Sequence, residues 1–466
     1  MSDLGLKESV AMGIGGIIGG GIFAALGVAA SIAGDAAFIA YLLAGFVALA
    51  SAYSYVNMTS HLEDEGGSFT FLEHYVDNKN IAGMVGWILV VGYIGTMAMY
   101  SYAFGSFAAN ALPFTSELLR PVLSVGIIGL FVLVNFLGPS KAGSSEDLLV
   151  YAKICILGLF SISGLYMIFQ RPELTFFAEG VLQHGFLSPI FAVGAIFVSF
   201  EGFQLLTYEY SEIEGGHDTL KKAAYISVIA STLIYVLVAL VTTNLMTAEQ
   251  IAVHKETALA FASSQIFHNY FLQTGSVLLV SVAALFSTAS AINATLFGTS
   301  RLTYRIASDN ELPDLFSFRN SKGVPTHSIA VVGGLTALFT FLGSLEEVTT
   351  FASVAFISIF AIVNFICLKD RESRNNGWVP AFGLLGSLSA LVLLIVHLFR
   401  TNQHMLYYIG GIFAVVFVAE FFYFERDEIE EEVEEIERDV EKEEREIEEE
   451  VEKVEEDVKK AFEKEE

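Results

Sequence analysis

Apolar runs of about 20 residues recur from Leu6 to Tyr423 with short polar stretches between them, the spacing expected of helices that cross a bilayer. The pattern predicts twelve spans, centred on Gly19, Phe46, Thr96, Gly129, Gly158, Phe200, Leu233, Phe286, Thr336, Phe356, Ala390 and Val415. Placing the N-terminus in the cytoplasm puts Lys7, Lys79, Lys141, Lys221, Lys222, Arg301, Arg305, Arg319, Lys322, Lys369, Arg371 and Arg374 inside, against Arg120, Arg171, Lys255 and Arg400 outside. The expectation is a multi-pass protein of the cell (plasma) membrane with both termini cytoplasmic. Two inside connections carry structure of their own. Glu63 to Phe71 joins a turn signal to an aromatic face, as in a short interfacial helix, and Arg301 to Pro313 extends a span until proline stops it.

Two spans interrupt their own pattern. The first holds Gly13, Gly15, Gly16, Gly19, Gly20 and Gly21 before Phe23, and each glycine weakens a helix by about 1 kcal/mol relative to alanine. In a bilayer such a break is tolerated where backbone lines a cavity, although small residues also let helices pack closely, and both readings stand. The sixth span sets Ser199, Phe200, Glu201, Gly202 and Gln204 in the middle of an apolar run, and an intramembrane carboxylate points to function. These interruptions lie five spans apart, as inverted repeats that each open with a discontinuous helix require.

Composition agrees with the pattern: 54% of the 466 residues are hydrophobic, phenylalanine numbers 40, and mean hydropathy is +0.58. Of the net charge of -27, the stretch from Glu425 carries about -16, and so acidic a surface argues against nucleic acid as a partner. That stretch repeats every 18 residues, Ile429, Val433, Ile436 and Val440 recurring as Ile447, Val451, Val454 and Val458. Since 18 residues are five helical turns, one narrow apolar stripe runs along an acidic helix. It suits self-association or a protein partner, or a solvated helix braced by Glu/Lys pairs, or an appendage without a transport role. Cys155 and Cys367 both fall in apolar segments, so neither a disulfide framework nor a zinc pattern is indicated. The N-terminus reads as a retained first helix, not a cleaved signal. His217, His254 and His268 read as solvated loop residues, and no nucleophile–base–oxyanion set marks an enzyme.

Several stretches together resemble the amino acid-polyamine-organocation transporters, over Leu6 to about Tyr423. Ile17 to Phe23 is similar to that family's first-helix signature, and Phe200-Glu201-Gly202-Phe203 to its broken sixth helix. Ser290 to Ala294 with Arg301 and Ala307 to Pro313 resembles the eighth helix and its exit, and Glu65 to Phe69 the first internal loop. The resemblance implies an all-α membrane protein of twelve transmembrane helices, with a leucine-transporter-type 5+5 inverted repeat and broken helices 1 and 6. The repeats would span about 8–170 and 186–370, with extra helices at 379–424, and the acidic helical tail at 425–466 would lie outside the 1–424 transporter domain.

It further implies an amino acid held at the breaks. Amides of Gly19, Gly20, Gly21 and Ile22 would bind its carboxylate at a helix N-terminus. Carbonyls of Ile17 and Ile18, joined by those around Val198 to Glu201, would accept from its ammonium, with Ser199, Phe200, Glu201 and Gly202 lining the substrate site. Phe200 would close over it, while Tyr93, Met97 and Phe356 would shape a side-chain pocket or simply pack. The stretch Leu149 to Phe160 is similar to a proton-coupled broad-range branch of the family, with Lys153 at its coupling lysine. Its ammonium would meet the Gly15 carbonyl and the hydroxyls of Ser287 or Thr288, making the proton the coupling ion in preference to sodium. Read without the family, Lys153 could equally snorkel to the cytoplasmic interface. Gln204 stands where the best-known exchangers carry a glutamate and cannot titrate. Glu201 is left three roles: touching a cationic substrate, binding a proton, or capping unwound backbone. No cofactor or metal is implied. Beside proton-coupled uptake by alternating access stand an amino acid/polyamine exchanger without net proton flux and a non-translocating amino acid sensor.

Overall fold

The computed structural model describes residues 4–62, 67–75, 79–113, 116–137, 143–170, 187–267, 269–308, 312–321 and 323–418. Among them the backbone forms helices and turns, with one isolated bridge between Leu4 and Ile213. In chain order come α1 (Leu6–Ile17), α2 (Gly21–Ala33), α3 (Ala37–Leu62), α4 (Gly67–Tyr75), α5 (Lys79–Ala111), α6 (Leu119–Phe136), α7 (Gly143–Phe169), α8 (Ser188–Ile196) and α9 (Leu205–Tyr208). They are followed by α10 (Gly216–Leu245), α11 (Ala248–Val253), α12 (Ala258–Ser264), α13 (Tyr270–Ser308), α14 (Thr326–Leu342), α15 (Leu345–Lys369), α16 (Trp378–Thr401) and α17 (Gln403–Val418). Nine helical stretches among the described residues are long and apolar enough to cross a membrane, and α14 and α17 are shorter apolar helices. One of the nine, Gly21–Leu62, contains both α2 and α3 with a turn at Gly34–Ala36 between them. This is a multi-pass membrane protein.

Burial sorts centre from rim. The apolar windows of Gly83–Ala111 and Ser188–Tyr208 are 83% buried and that of Leu119–Phe136 only 17%, so the interrupted stretch is central and α6 peripheral. Rim positions such as Leu130, Leu133, Ile162 and Leu385 expose large apolar side chains, which lipid solvates without cost and water would not. Inside, α13 and α15 pack on α5, and α10 packs on α3 and α1. The four pieces flanking the breaks pair crosswise, α2 with α8 and α1 with α9. Polar side chains tie helices together where no water reaches. Asn364 on α15 accepts from Ser54 (2.7 Å) and donates to Ser51 (2.8 Å) on α3, and Asn135 donates to Asn293 (2.9 Å).

The connection after α3 includes the short helix α4, whose Phe69, Phe71 and Leu72 are buried and whose Ser68 hydroxyl bonds Tyr55 at 2.7 Å. The eighth predicted span continues through Arg301 and Arg305 to Ser308, with the Arg301 guanidinium stacked on Phe297. His217 differs from its loop reading: it lies in the first turn of α10 and bonds Ser60 at 2.5 Å. Gly215, in the left-handed conformation at φ 82°, starts α10 early enough to include it. His254 ends α11, its ring stacked on Phe261, and His268 lies outside the described residues. The chain divides into two compact units, Met1–Phe413 and Ala414–Glu466. The second is described only over 414–418, so the acidic stretch 425–466 lies outside the described residues.

Candidate functional site

The first interruption falls at residues 18–20. The Ile18 amide closes α1 on the Ile14 carbonyl (2.8 Å), and the Gly19 amide turns back to Gly16 (3.3 Å). Helix α2 begins with Ala24 donating to the Gly20 carbonyl (2.8 Å), which leaves the amides of Gly20, Gly21 and Ile22 at its N-terminus with no carbonyl one turn behind them. Three of the four amides expected to face a carboxylate therefore stand at that helix end. Gly19 does not, because its amide finishes the preceding helix.

The second interruption unwinds more slowly. After α8 a tight 3-10 turn covers Phe197–Phe200, Glu201 is extended (φ -63°, ψ 140°), and Gly202 takes φ 130° before α9 starts at Leu205. Only glycine adopts that φ without strain, and a Cβ on Gly202 would also collide with the backbone of Gly16. The two interruptions thus cross backbone against backbone. The second interruption is tied to α15 by Ser353, which accepts from the Val198 amide (3.1 Å) and donates to the Ala195 carbonyl (2.8 Å).

The freed carbonyls already have internal donors. Tyr235 on α10 donates from one hydroxyl toward the carbonyls of Ile17 (2.6 Å) and Ser199 (3.1 Å), and the Ser199 hydroxyl donates to Gly21 (3.3 Å). The Ile18 carbonyl accepts from Ser287 on α13 (2.8 Å) and from the Lys153 ammonium on α7 (3.3 Å), while Ser287 also reaches Gly19. Lys153 is 4% exposed, so in this structure it points into the protein rather than to the interface. Its acceptor on the first helix is Ile18 where the sequence pointed to Gly15, whose own Cβ position faces Val150 one turn before Lys153. Thr288 does not reach α1; its hydroxyl bonds Ala284 of its own helix at 2.7 Å.

A second polar group faces α5. Glu201, 2% exposed, accepts from the Tyr100 hydroxyl (3.3 Å) and the Gln204 amide (3.1 Å). Gln204 in turn accepts from the Gly202 amide (2.8 Å) and reaches the Tyr93 hydroxyl, which meets Tyr208 at 3.5 Å. The Tyr100 ring lies against Gly20, where a Cβ would strike it. Met97 and Phe356 are buried, with Phe356 edge-on to Tyr93 (5.0 Å), and Phe200 packs edge-on to Tyr235 (5.5 Å). Tyr235, Tyr100 and Ser353 escaped the sequence reading. The available signal was a tyrosine hydroxyl inside an apolar span, which must find a partner there. No group of three or more metal-ligating His, Cys, Asp or Glu side chains is assembled among the described residues.

A bilayer-spanning bundle with two crossed helix interruptions at its centre is the architecture of a membrane transporter. A family model described as amino acid permease matches residues 4–418, and the chain belongs to that family, within the amino acid-polyamine-organocation superfamily. It is a family of transporters and not of enzymes. The chain is 26% identical to the inner membrane transport protein YbaT of Escherichia coli, over 89% of this chain and 95% of that one. It is 23% identical to the branched-chain amino acid permease BcaP of Bacillus subtilis, over 80% of this chain and 82% of the relative. It is also 23% identical to the serine/threonine exchanger SteT of the same organism, over 82% and 86%.

Proposed function

We propose that this protein carries amino acids into the cell with protons, by alternating access around the crossed interruptions. The reading takes the plasma membrane as its site, twelve spans with both termini cytoplasmic, and inverted repeats over about 8–170 and 186–370. Helices 379–424 then stand outside the repeats, and 425–466 is a cytoplasmic helix that pairs with a second copy or a protein partner. Relatives named as amino acid permeases and exchangers support the substrate class. The substrate carboxylate binds at the amides of Gly20, Gly21 and Ile22, at the positive end of α2. Its ammonium takes the Ile17 and Ser199 carbonyls over from Tyr235, which has one proton to offer where the ammonium has three.

The observation that carries proton coupling is the bond from Lys153 to the Ile18 carbonyl, two residues before the amides that bind substrate. A charged ammonium holds α1 against α7 through a charge-assisted hydrogen bond, roughly twice as strong as a neutral one. Loss of the proton slackens that tie and releases α1, so one interrupted helix senses both ligands. The test is uptake of a panel of labelled amino acids into proteoliposomes, with and without an inward proton gradient, for wild type and Lys153→Ala. Gradient-driven uptake that disappears in the variant is expected. Equal pH dependence in the variant sinks the lysine assignment, and a sodium requirement in wild type overturns proton coupling.

A further inference from the structure

Glu201 is a buried carboxylate with no cationic partner among the described residues. Its two donors, Tyr100 and Gln204, are neutral, and the other titratable groups that face it, Tyr55, Tyr93, Tyr208 and Tyr235, are neutral hydroxyls as well. Neutral hydrogen bonds of 3.1 and 3.3 Å do not offset the loss of water around a carboxylate, which in such a place either takes up a proton or needs a positive charge beside it. Yet both donors are held in place for it. The Gly202 amide engages the Gln204 carbonyl oxygen and so turns the Gln204 amine toward Glu201, while Gly20 seats the Tyr100 ring. The carboxylate is thus oriented by fixed neighbours rather than left to find its own place.

The substrate's α-ammonium does not depend on this carboxylate. That group has acceptors in the Ile17 and Ser199 carbonyls, which share a single hydroxyl proton and so keep lone pairs free. Glu201 also faces α5: directly at Tyr100, and through Gln204 at Tyr93. Tyr93, Met97 and Tyr100 follow at intervals of four and three residues, so they line one face of α5, with Phe356 against Tyr93. On the proposed binding mode, a substrate's side chain would meet this wall.

We infer that Glu201 is an anionic subsite for a positively charged side chain, and that the substrates are cationic amino acids of the lysine, ornithine and arginine type. The aliphatic stem lies along Met97 and Phe356, and the terminal charge meets Glu201 between Tyr100 and Gln204. The inference rests on the reading that substrate binds at the crossed interruptions.

The test compares uptake of labelled lysine, arginine, leucine and serine by reconstituted wild type, Glu201→Gln and Glu201→Asp, at one pH and one gradient. Wild type is expected to favour the cationic pair. In Glu201→Gln the cationic-to-neutral ratio should fall by roughly 30-fold or more, the loss on removing one partner of a buried charge pair, and Glu201→Asp should recover part of it. Wild-type uptake confined to neutral amino acids overturns the inference and leaves the transport reading intact, without recourse to any variant. Equal loss of all four substrates in Glu201→Gln, or a change in pH dependence alone, also overturns it. A wild type that carries no amino acid defeats both readings together.

Discussion

Replacing Tyr235 by phenylalanine removes one oxygen and leaves the ring, which packs edge-on against Tyr41 (5.3 Å) and Phe200 (5.5 Å). The hydroxyl is the donor shared by the Ile17 and Ser199 carbonyls, one on each interruption. Stranding buried acceptors costs about 1–3 kcal/mol. With about 2–4 °C lost per kcal/mol in a large domain, the detergent-solubilised protein should melt roughly 2–12 °C lower. The assay is the monodisperse fraction remaining after heating, measured with and without a transported amino acid. On the proposed binding mode, substrate supplies ammonium donors to the same two carbonyls, so it should raise the melting temperature of Tyr235→Phe by more than it raises that of wild type. An unchanged melting temperature refutes the shared-donor reasoning. A substrate shift in the variant no larger than in wild type refutes the exchange of hydroxyl for ammonium.

Further outcomes follow from the same geometry. Gly202→Ala combines a forbidden φ with a backbone collision at Gly16 and should cost more than about 2 kcal/mol, read as loss of monodisperse protein on purification. Asn364→Leu removes the interhelical bonds to Ser54 and Ser51, whose hydroxyls keep the Ala50 and Val47 carbonyls of their own helix, and should lower stability by about 0.6–2 kcal/mol in a thermal melt, less if Ser51 and Ser54 are replaced by alanine at the same time. At the C-terminal end of α15, burial pushes the Asp370 carboxyl up. Hydrogen bonds from Tyr75, the Glu372 amide and Ser373, with His61 nearby, outweigh that and hold it below the usual carboxylate range. A depressed carboxylate contributes stability above its unfolded pKa and loses it as pH falls through the folded one. Asp370→Asn should therefore melt lower than wild type at neutral pH, with the gap closing below about pH 4.

Both interruptions were legible in the sequence because their causes are local: six glycines between Gly13 and Gly21, and a carboxylate beside Gly202 in an apolar run. What the interruptions touch was not legible, because every partner is distant in the chain. Tyr235 meets Ile17, and Gly202 crosses Gly16, only once α10 and α9 have packed on α1. Lys153 was legible as a lysine in an apolar span, but its acceptor depended on how far α1 continues before it breaks. The helix runs to Ile17 and consumes the Gly19 amide in its last turn, which moved the free amides to Gly20 and beyond, and Lys153 meets the first helix at the Ile18 carbonyl just past its end. His217 was misplaced for a related reason, since glycine at 215 and 216 reads as a loop and instead begins a helix.

The most direct test of proton-coupled uptake is the lumenal pH of proteoliposomes that trap a pH-sensitive dye, followed as an amino acid is added outside with no sodium present. Inward movement of substrate with protons acidifies the lumen in wild type, and Lys153→Ala abolishes the acidification while counterflow of labelled substrate persists. Accumulation of labelled amino acid by wild type with no change in lumenal pH would contradict the account.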